Sequence, residues 1–247
     1  ASLLNISAMS FGSLSENAVL AMNKGAKMGN FAHNTGEGGI SPYHLQPGGD
    51  LIWQIGTGYF GCRATDGGFD ADKYIERATL PNVKMIELKL SQGAKPGHGG
   101  ILPANKNTPE IAAIRAVEPY TTVDSPPSHS VFSDAEGMLH FIQQLRELSG
   151  GKPVGFKLCI GIKREFIEIC EAMIKTGIKP DYIAIDGGEG GTGAAPVEFS
   201  NSLGMPLLDG LAFAVDTLRG FGLKKDIRVV ASGKIISSFH IARAMAI

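Results

Sequence analysis

The sequence predicts an α/β protein built as a (β/α)8 TIM barrel, and three observations lead there. Strand-like and helix-like segments alternate along the chain, its glycine-rich polar loops follow the strands, and 247 residues at 43% hydrophobic and 19% charged content can bury one sizeable core. The loops returning from helix to strand are short and plain, so the unusual chemistry gathers at strand C-terminal ends. That is the functional face of a barrel, whereas a doubly wound sheet would concentrate such loops at one switch point.

Taken in order, Leu3 to Met9 reads as a first short strand, and Ser13-Leu14-Ser15-Glu16 as a capping box opening a helix to about Met28. Phe31 to Asn34 and Leu51 to Ile55 read as strands and Ala71 to Ala78 as a helix. Val83 to Leu90 is a strand that sets Val83, Met85, Glu87 and Lys89 on one face, with Ile86, Leu88 and Leu90 on the other. A helix from Pro109 to Val117 opens after Thr108 as cap, and Asp134 to Leu148 is the next. Strands at Val154 to Cys159, Tyr182 to Asp186 and Arg228 to Ser232 alternate with helices at Arg164 to Thr176, Leu207 to Phe221 and Ser237 to Ala246. About seven strands are found, and the chain stops at Ile247 inside a helical pattern. A single domain over residues 1–247, cut before its eighth strand, is the expectation.

Several classes are excluded. A net charge of -1 and the lack of a basic run argue against nucleic acid, and no apolar stretch approaches a membrane span. Cys62, Cys159 and Cys170 are odd in number and widely spaced, which suits a reducing, cytoplasmic compartment and gives no metal site within the chain. The six histidines show no metal-ligand spacing either.

The most informative segment is Lys89-Leu90-Ser91-Gln92-Gly93-Ala94-Lys95-Pro96-Gly97-His98-Gly99-Gly100, which reads as a polar ligand pocket. A solvated edge strand would show a similar charge pattern. Lys157 lies on an otherwise apolar strand with Gly155 and Cys159 on its face, where small residues leave room for a ring. It either supplies positive charge to an electron-rich cofactor or pairs with Glu87 or Asp186. Asp186 to Ala194 holds five glycines in nine residues and can wrap a flat ring or offer amides to an anion, yet it is neither a Walker loop nor a Rossmann fingerprint. Glu37, alone among the glycines of Asn34 to Gly39, is either solvated or meets a substrate or Lys89. His129, in the loop Ser125-Pro126-Pro127-Ser128-His129-Ser130, is a general acid or base by type but lacks a nucleophile elbow and an aspartate partner. Ser232-Gly233-Lys234 supplies half of a phosphate loop.

Ile6 to Ser13, Asn34 to Gly39, Lys89 to Gly100, Ser125-Pro126-Pro127 with His129, and Asp186 to Ala195 occur in the order found in the FMN-binding synthase domain of glutamate synthase, which the chain resembles from end to end. The resemblance implies an FMN barrel in which reduced flavin delivers a hydride to 2-iminoglutarate, formed from 2-oxoglutarate and ammonia. By motif position, Ala8, Met9, Ser10, Gln54, Lys157, Gly190, Gly191, Thr192, Ser232, Gly233 and Lys234 would contact FMN. Glu37, Lys89, Gln92 and Lys95 would line the substrate side, with Glu37 and Lys89 in the catalytic role. It also implies an electron donor such as ferredoxin or an NAD(P)H-dependent subunit, and an iron-sulfur cluster only in a region beyond Ile247.

Departures from the family pattern look like those of a divergent, stand-alone branch, expected to lack the glutaminase domain. Asp186-Gly187-Gly188-Glu189 stands where Ser-Gly-His-Asp is typical, Ser130 replaces an aspartate, Tyr59 an arginine and His98 a glutamate. Two other outcomes stay open: an FMN-barrel oxidoreductase for a different small acid or imine, and a non-catalytic truncated barrel.

Overall fold

The computed structural model describes residues 2–247. Strands β1 (His33–Asn34), β2 (Leu51–Ile55) and β3 (Val83–Lys89) lead to the two-residue strands β4 (Ile101–Leu102) and β5 (Val123–Asp124), and then to β6 (Val154–Leu158), β7 (Tyr182–Asp186) and β8 (Arg228–Ser232). The helices are α1 (Glu16–Gly29), α2 (Pro42–Leu45), α3 (Ala71–Ala78), α4 (Pro109–Arg115), α5 (Ala135–Leu148), α6 (Lys163–Thr176), α7 (Leu207–Gly220) and α8 (Ser238–Met245). Their alternation is that of an α/β fold of the TIM-barrel kind. The chain forms two compact units: the first takes the chain up to Lys89 with Gly99–Val131 and Gln144–Val154, and the second takes Leu90–His98, Phe132–Gln143 and Gly155–Ile247.

In the first unit β1, β2 and β3 pair in parallel, with Asn34 opposite Ile52 and Gln54 opposite Glu87. Period-two alternation then gives two unlike faces. Leu51, Trp53, Ile55, Ile86 and Leu88 form a fully buried apolar face, and Trp53 stacks on Tyr74 of α3 at 5.4 Å. Burying side chains of this size contributes roughly 1.5–3 kcal/mol each, which is what seats the helices. Asn34, Gln54, Glu87 and Lys89 share the other face, and all four are buried. Glu87 and Lys89 therefore do point the same way, and the solvated-edge reading of β3 is overturned. β4 and β5 form a small antiparallel ladder.

In the second unit β6, β7 and β8 pair in parallel, with Lys157 opposite Ala184 and Asp186 opposite Ser232. Phe156, Ile183 and Ile185 are buried on one face, in a unit whose helices bury Phe166, Met173, Leu211, Val215 and Leu218. Gly155 is small because the ring of Tyr182 occupies its side, and a Cβ there would stand 2.5 Å from that ring.

Three sequence expectations are corrected. Leu3 to Met9 forms no strand, only a bridge from Ile6 to His33. Helix α1 is capped by Ser15, whose hydroxyl accepts from Ala18 N–H, while the Ser13 hydroxyl turns back to the Ser10 carbonyl at 2.9 Å. The reason is one of register: Ser15 immediately precedes the first helical residue, and Ser13 does not. Helix α2 arises in a segment with no element expected, from Ser41 as cap and Pro42 at the first turn.

Candidate functional site

The first unit gathers its charges around the end of β3. Lys89 Nζ donates to Glu37 Oε1 at 2.8 Å, so the lone glutamate of the Asn34–Gly39 turn meets Lys89. Gly56 and Gly100 crowd that carboxylate, and a Cβ at either would stand 2.5 Å and 3.0 Å from its oxygens. Two residues deeper along β3, Glu87 Oε1 accepts from Asn34 Nδ2 at 2.8 Å and from Gln54 Nε2 at 2.7 Å. The Gln54 amide nitrogen is thus engaged inside the protein. Ser10, half-buried, shares a hydrogen bond with Ser13 at 2.6 Å, and Gly36, at φ +66°, fits against its backbone. Met9 N–H donates to the Asn34 carbonyl at 3.1 Å, and Ala8 is half-buried beside it in the chain.

His129 is a structural strut. Its Nε2–H donates to the Lys89 carbonyl at 2.9 Å, and Nδ1 accepts from the Tyr59 hydroxyl at 3.1 Å, which itself accepts from Ser130 N–H. A carbonyl only accepts, so Nε2 carries a proton, and burial lowers the pKa of the ring. The Tyr59 hydroxyl serves this network.

Arg115 was missed in the sequence. Its guanidinium is buried, lies 5.0 Å over the Phe60 ring and donates Nη2 to the Phe11 carbonyl at 3.3 Å, while Nε has no partner. Burial lowers its pKa and the charge of Glu37 acts against that. A buried arginine with an unused donor suits a carboxylate. The available signal was its place one turn after buried Ile111 on α4, on the same helix face.

In the second unit, Lys157 Nζ pairs with Asp186 Oδ1 at 3.4 Å, which realises one of the two pairings weighed for it. Asp186 Oδ2 accepts from Gly93 N–H at 3.0 Å. The loop glycines divide into two kinds. Gly93, Gly188 and Gly204 pack backbone on backbone, with a Cβ at Gly204 standing 2.5 Å from the Gly93 carbonyl oxygen. Gly190, at φ +95°, and Gly193 face open space, whereas Gly191 lies against Ser200. Thr192 is exposed and its carbonyl accepts from Ala195 N–H. On the Leu90–His98 segment, Lys95 is buried, Gln92 is half-buried, and the ring of His98 meets Phe199 edge-on at 4.9 Å.

A cavity of about 230 Å³ lies where Gly233 and Lys234 follow β8, walled also by Glu189, Leu207, His240 and Arg243. The Ser232 carbonyl accepts from Gly187 N–H at 2.8 Å, and Lys234 Nζ reaches Asn201 Oδ1 at 3.1 Å. Glu189 takes the Leu207 N–H at 2.9 Å and so caps α7. Lys234 and Arg243 give this cavity two cations for a phosphate, with the Glu189 carboxylate on the same wall acting against them, and open glycines beside a strand end fit a flat ring. The residues present therefore suit a phosphorylated ring cofactor such as FMN. Among the described residues no cluster of three or more His, Cys, Asp or Glu side chains is arranged for a metal ion, and no helix is long and apolar enough to cross a membrane. Cys62, Cys159 and Cys170 are free and buried.

Alternating strands and helices with glycine loops at strand ends define an α/β protein of the TIM-barrel kind. In fold it is similar to a protein described as "QR15, an Aldolase" (TM-score 0.54, 13% identity, 99% of this chain and 86% of that one) and to deoxyribose phosphate aldolase from Aeropyrum pernix (TM-score 0.51, 11%, 98% and 81%). The chain belongs to the glutamate synthase family: the family's model, described as the conserved region in glutamate synthase, matches residues 1–247. Relatives include the glutamate synthase large subunit-like protein YerD of Bacillus subtilis, 44% identical over 99% of this chain and 46% of its own length. The archaeal glutamate synthase [NADPH] of Methanocaldococcus jannaschii is 35% identical over 98% and 44% respectively. The chain spans less than half the length of these curated relatives.

Proposed function

We propose that the chain is the FMN-binding part of a glutamate synthase-type oxidoreductase acting on 2-oxoglutarate and ammonia. The observation that carries the flavin half is Lys157, a buried cation on a strand whose other residues are apolar or small. When bound, FMN supplies the two-electron carrier that reduces 2-iminoglutarate. Lys157 places positive charge against the ring, the open Gly190–Gly193 loop leaves room for it, and Lys234 and Arg243 take its phosphate.

In the first unit Lys89 and Arg115 are buried cations suited to carboxylates; in the second, Lys95 is another, and Gln92 beside it in the chain adds a neutral hydrogen-bonding group. Glu37, held by Lys89, is the carboxylate that would exchange a proton with the substrate nitrogen. An electron donor such as ferredoxin or an NAD(P)H-dependent subunit completes the proposal.

Adding FMN to the full chain tests it. A bound yellow species absorbing at about 450 nm, once reduced anaerobically, is reoxidised by 2-oxoglutarate with ammonia and by neither alone. A colourless protein sinks the flavin half; reoxidation by other keto acids but not by this pair sinks the substrate.

A further inference from the structure

Asp186 does more than neutralise a lysine. The parallel register sets Ala184 opposite Lys157, so Asp186 stands two residues further along β7 on the same face, its Oδ1 3.4 Å from Nζ. Both side chains are enclosed, at 7% and 11% exposure. The second carboxylate oxygen is used elsewhere, on the N–H of Gly93 in the loop that carries Gln92 and Lys95. Gly93 reaches it because its backbone lies directly on Gly187, where any Cβ would overlap the Gly187 carbonyl.

We propose that Asp186 is a positioning residue that ties the charge of Lys157 to the Leu90–His98 loop, and so lowers the reduction potential of the flavin while linking it to ligand binding by that loop. The inference rests on the flavin reading above. A carboxylate this close to an enclosed ammonium cancels much of its field, so negative charge arising on the ring is stabilised less than a lone lysine would allow. An ammonium drawn toward that new charge leaves Asp186 with Gly93 N–H as its nearest remaining partner. The loop's grip then differs between the two redox states. By reciprocity, a ligand that tightens the loop shifts the potential by the same free energy.

The midpoint potential of FMN bound to the full chain is compared in wild type, Asp186→Asn and Asp186→Ala, alongside amide hydrogen exchange at Gly93 without flavin. Asparagine keeps an acceptor for Gly93 and loses the charge. It is expected to favour reduced over oxidised FMN by about tenfold more than wild type, a positive shift of about 30 mV for a two-electron couple, with Gly93 still protected. Alanine gives the same shift and faster Gly93 exchange. An unchanged or more negative potential in Asp186→Asn overturns the tuning role, and Gly93 exchange indifferent to Asp186→Ala overturns the latch. A wild-type chain that holds no FMN is a separate result, read from its absorbance. It overturns the flavin reading together with the tuning, whereas the exchange experiment still judges the latch.

Discussion

Two enclosed lysine–carboxylate pairs, one in each unit, differ in a way their distances conceal. Lys89 and Glu37 are 2.8 Å apart with side chains 10% and 20% exposed, whereas Lys157 and Asp186 are 3.4 Å apart and 7% and 11% exposed. The shorter pair has the more accessible acid, and its neighbours are polar side chains. The longer pair is set among apolar strand residues and backbone. Accessibility, more than distance, decides what removing one partner costs, because the survivor is stranded only where water cannot reach it. The first pair is therefore the more open to exchanging a partner with a ligand, and removing either partner costs more in the second.

Breaking the second pair is the largest expected effect. Lys157→Met leaves Asp186 enclosed without its cation and should cost about 3–5 kcal/mol in urea unfolding, with FMN binding lost as well. Acid separates the units next. His33 and His44, both in the first unit, have pKa values lowered by burial from 6.5 to about 4. The unfolded chain takes up these protons at about pH 6.5 and the folded chain only near 4, so stability is level above neutrality and falls as pH drops through that interval. The loss is roughly 3 kcal/mol per ring at full extent. His33 has no partner on either nitrogen, so His33→Phe should flatten the acid limb of a thermal-melt series without lowering the neutral-pH value.

Lys89→Met follows, at about 1–2 kcal/mol, since Glu37 keeps some solvent. Its larger consequence is functional: 2-oxoglutarate affinity drops at least about tenfold while FMN affinity holds, as titrations of both ligands would show. Equal stability costs for Lys157→Met and Lys89→Met would remove the basis of the comparison. The smallest effect belongs to Gly190→Ala. Open space surrounds the position, so only its φ of +95° opposes a side chain, at about 1 kcal/mol.

Much of the framework was legible in the sequence for a physical reason. Leu51–Ile55, Ala71–Ala78, Tyr182–Asp186 and Arg228–Ser232 formed with the bounds expected, because each is an apolar-patterned run closed by polar or glycine residues. Strands β4 and β5 escaped, since two residues carry no period. Leu3 to Met9 misled by being apolar: Leu3 and Leu4 are exposed, and hydrophobicity alone supplies no partner strand. In the candidate site, the Glu37–Lys89 and Lys157–Asp186 pairings were among the alternatives the pattern allowed. The roles of Arg115 and His129 were not readable, because both depend on contacts with residues more than fifty positions away, Phe11 for one and Tyr59 for the other. The glycines misled in a subtler manner. Their density suggested a cradle, yet Gly93, Gly188 and Gly204 are spent on close backbone packing, while Gly97, Gly190 and Gly193 remain open.

The three buried cysteines give the molecule internal clocks. Burial raises the pKa of all three thiols, that of Cys170 to about 12, so none offers much thiolate at neutral pH while its surroundings stay closed. A thiol-reactive dye therefore labels each only as fast as its neighbourhood opens. Cys62 belongs to the first unit and Cys159 and Cys170 to the second. Peptide-resolved labelling rates, taken from one unmodified sample, would time the opening of either unit separately and show whether a ligand slows one, the other or both.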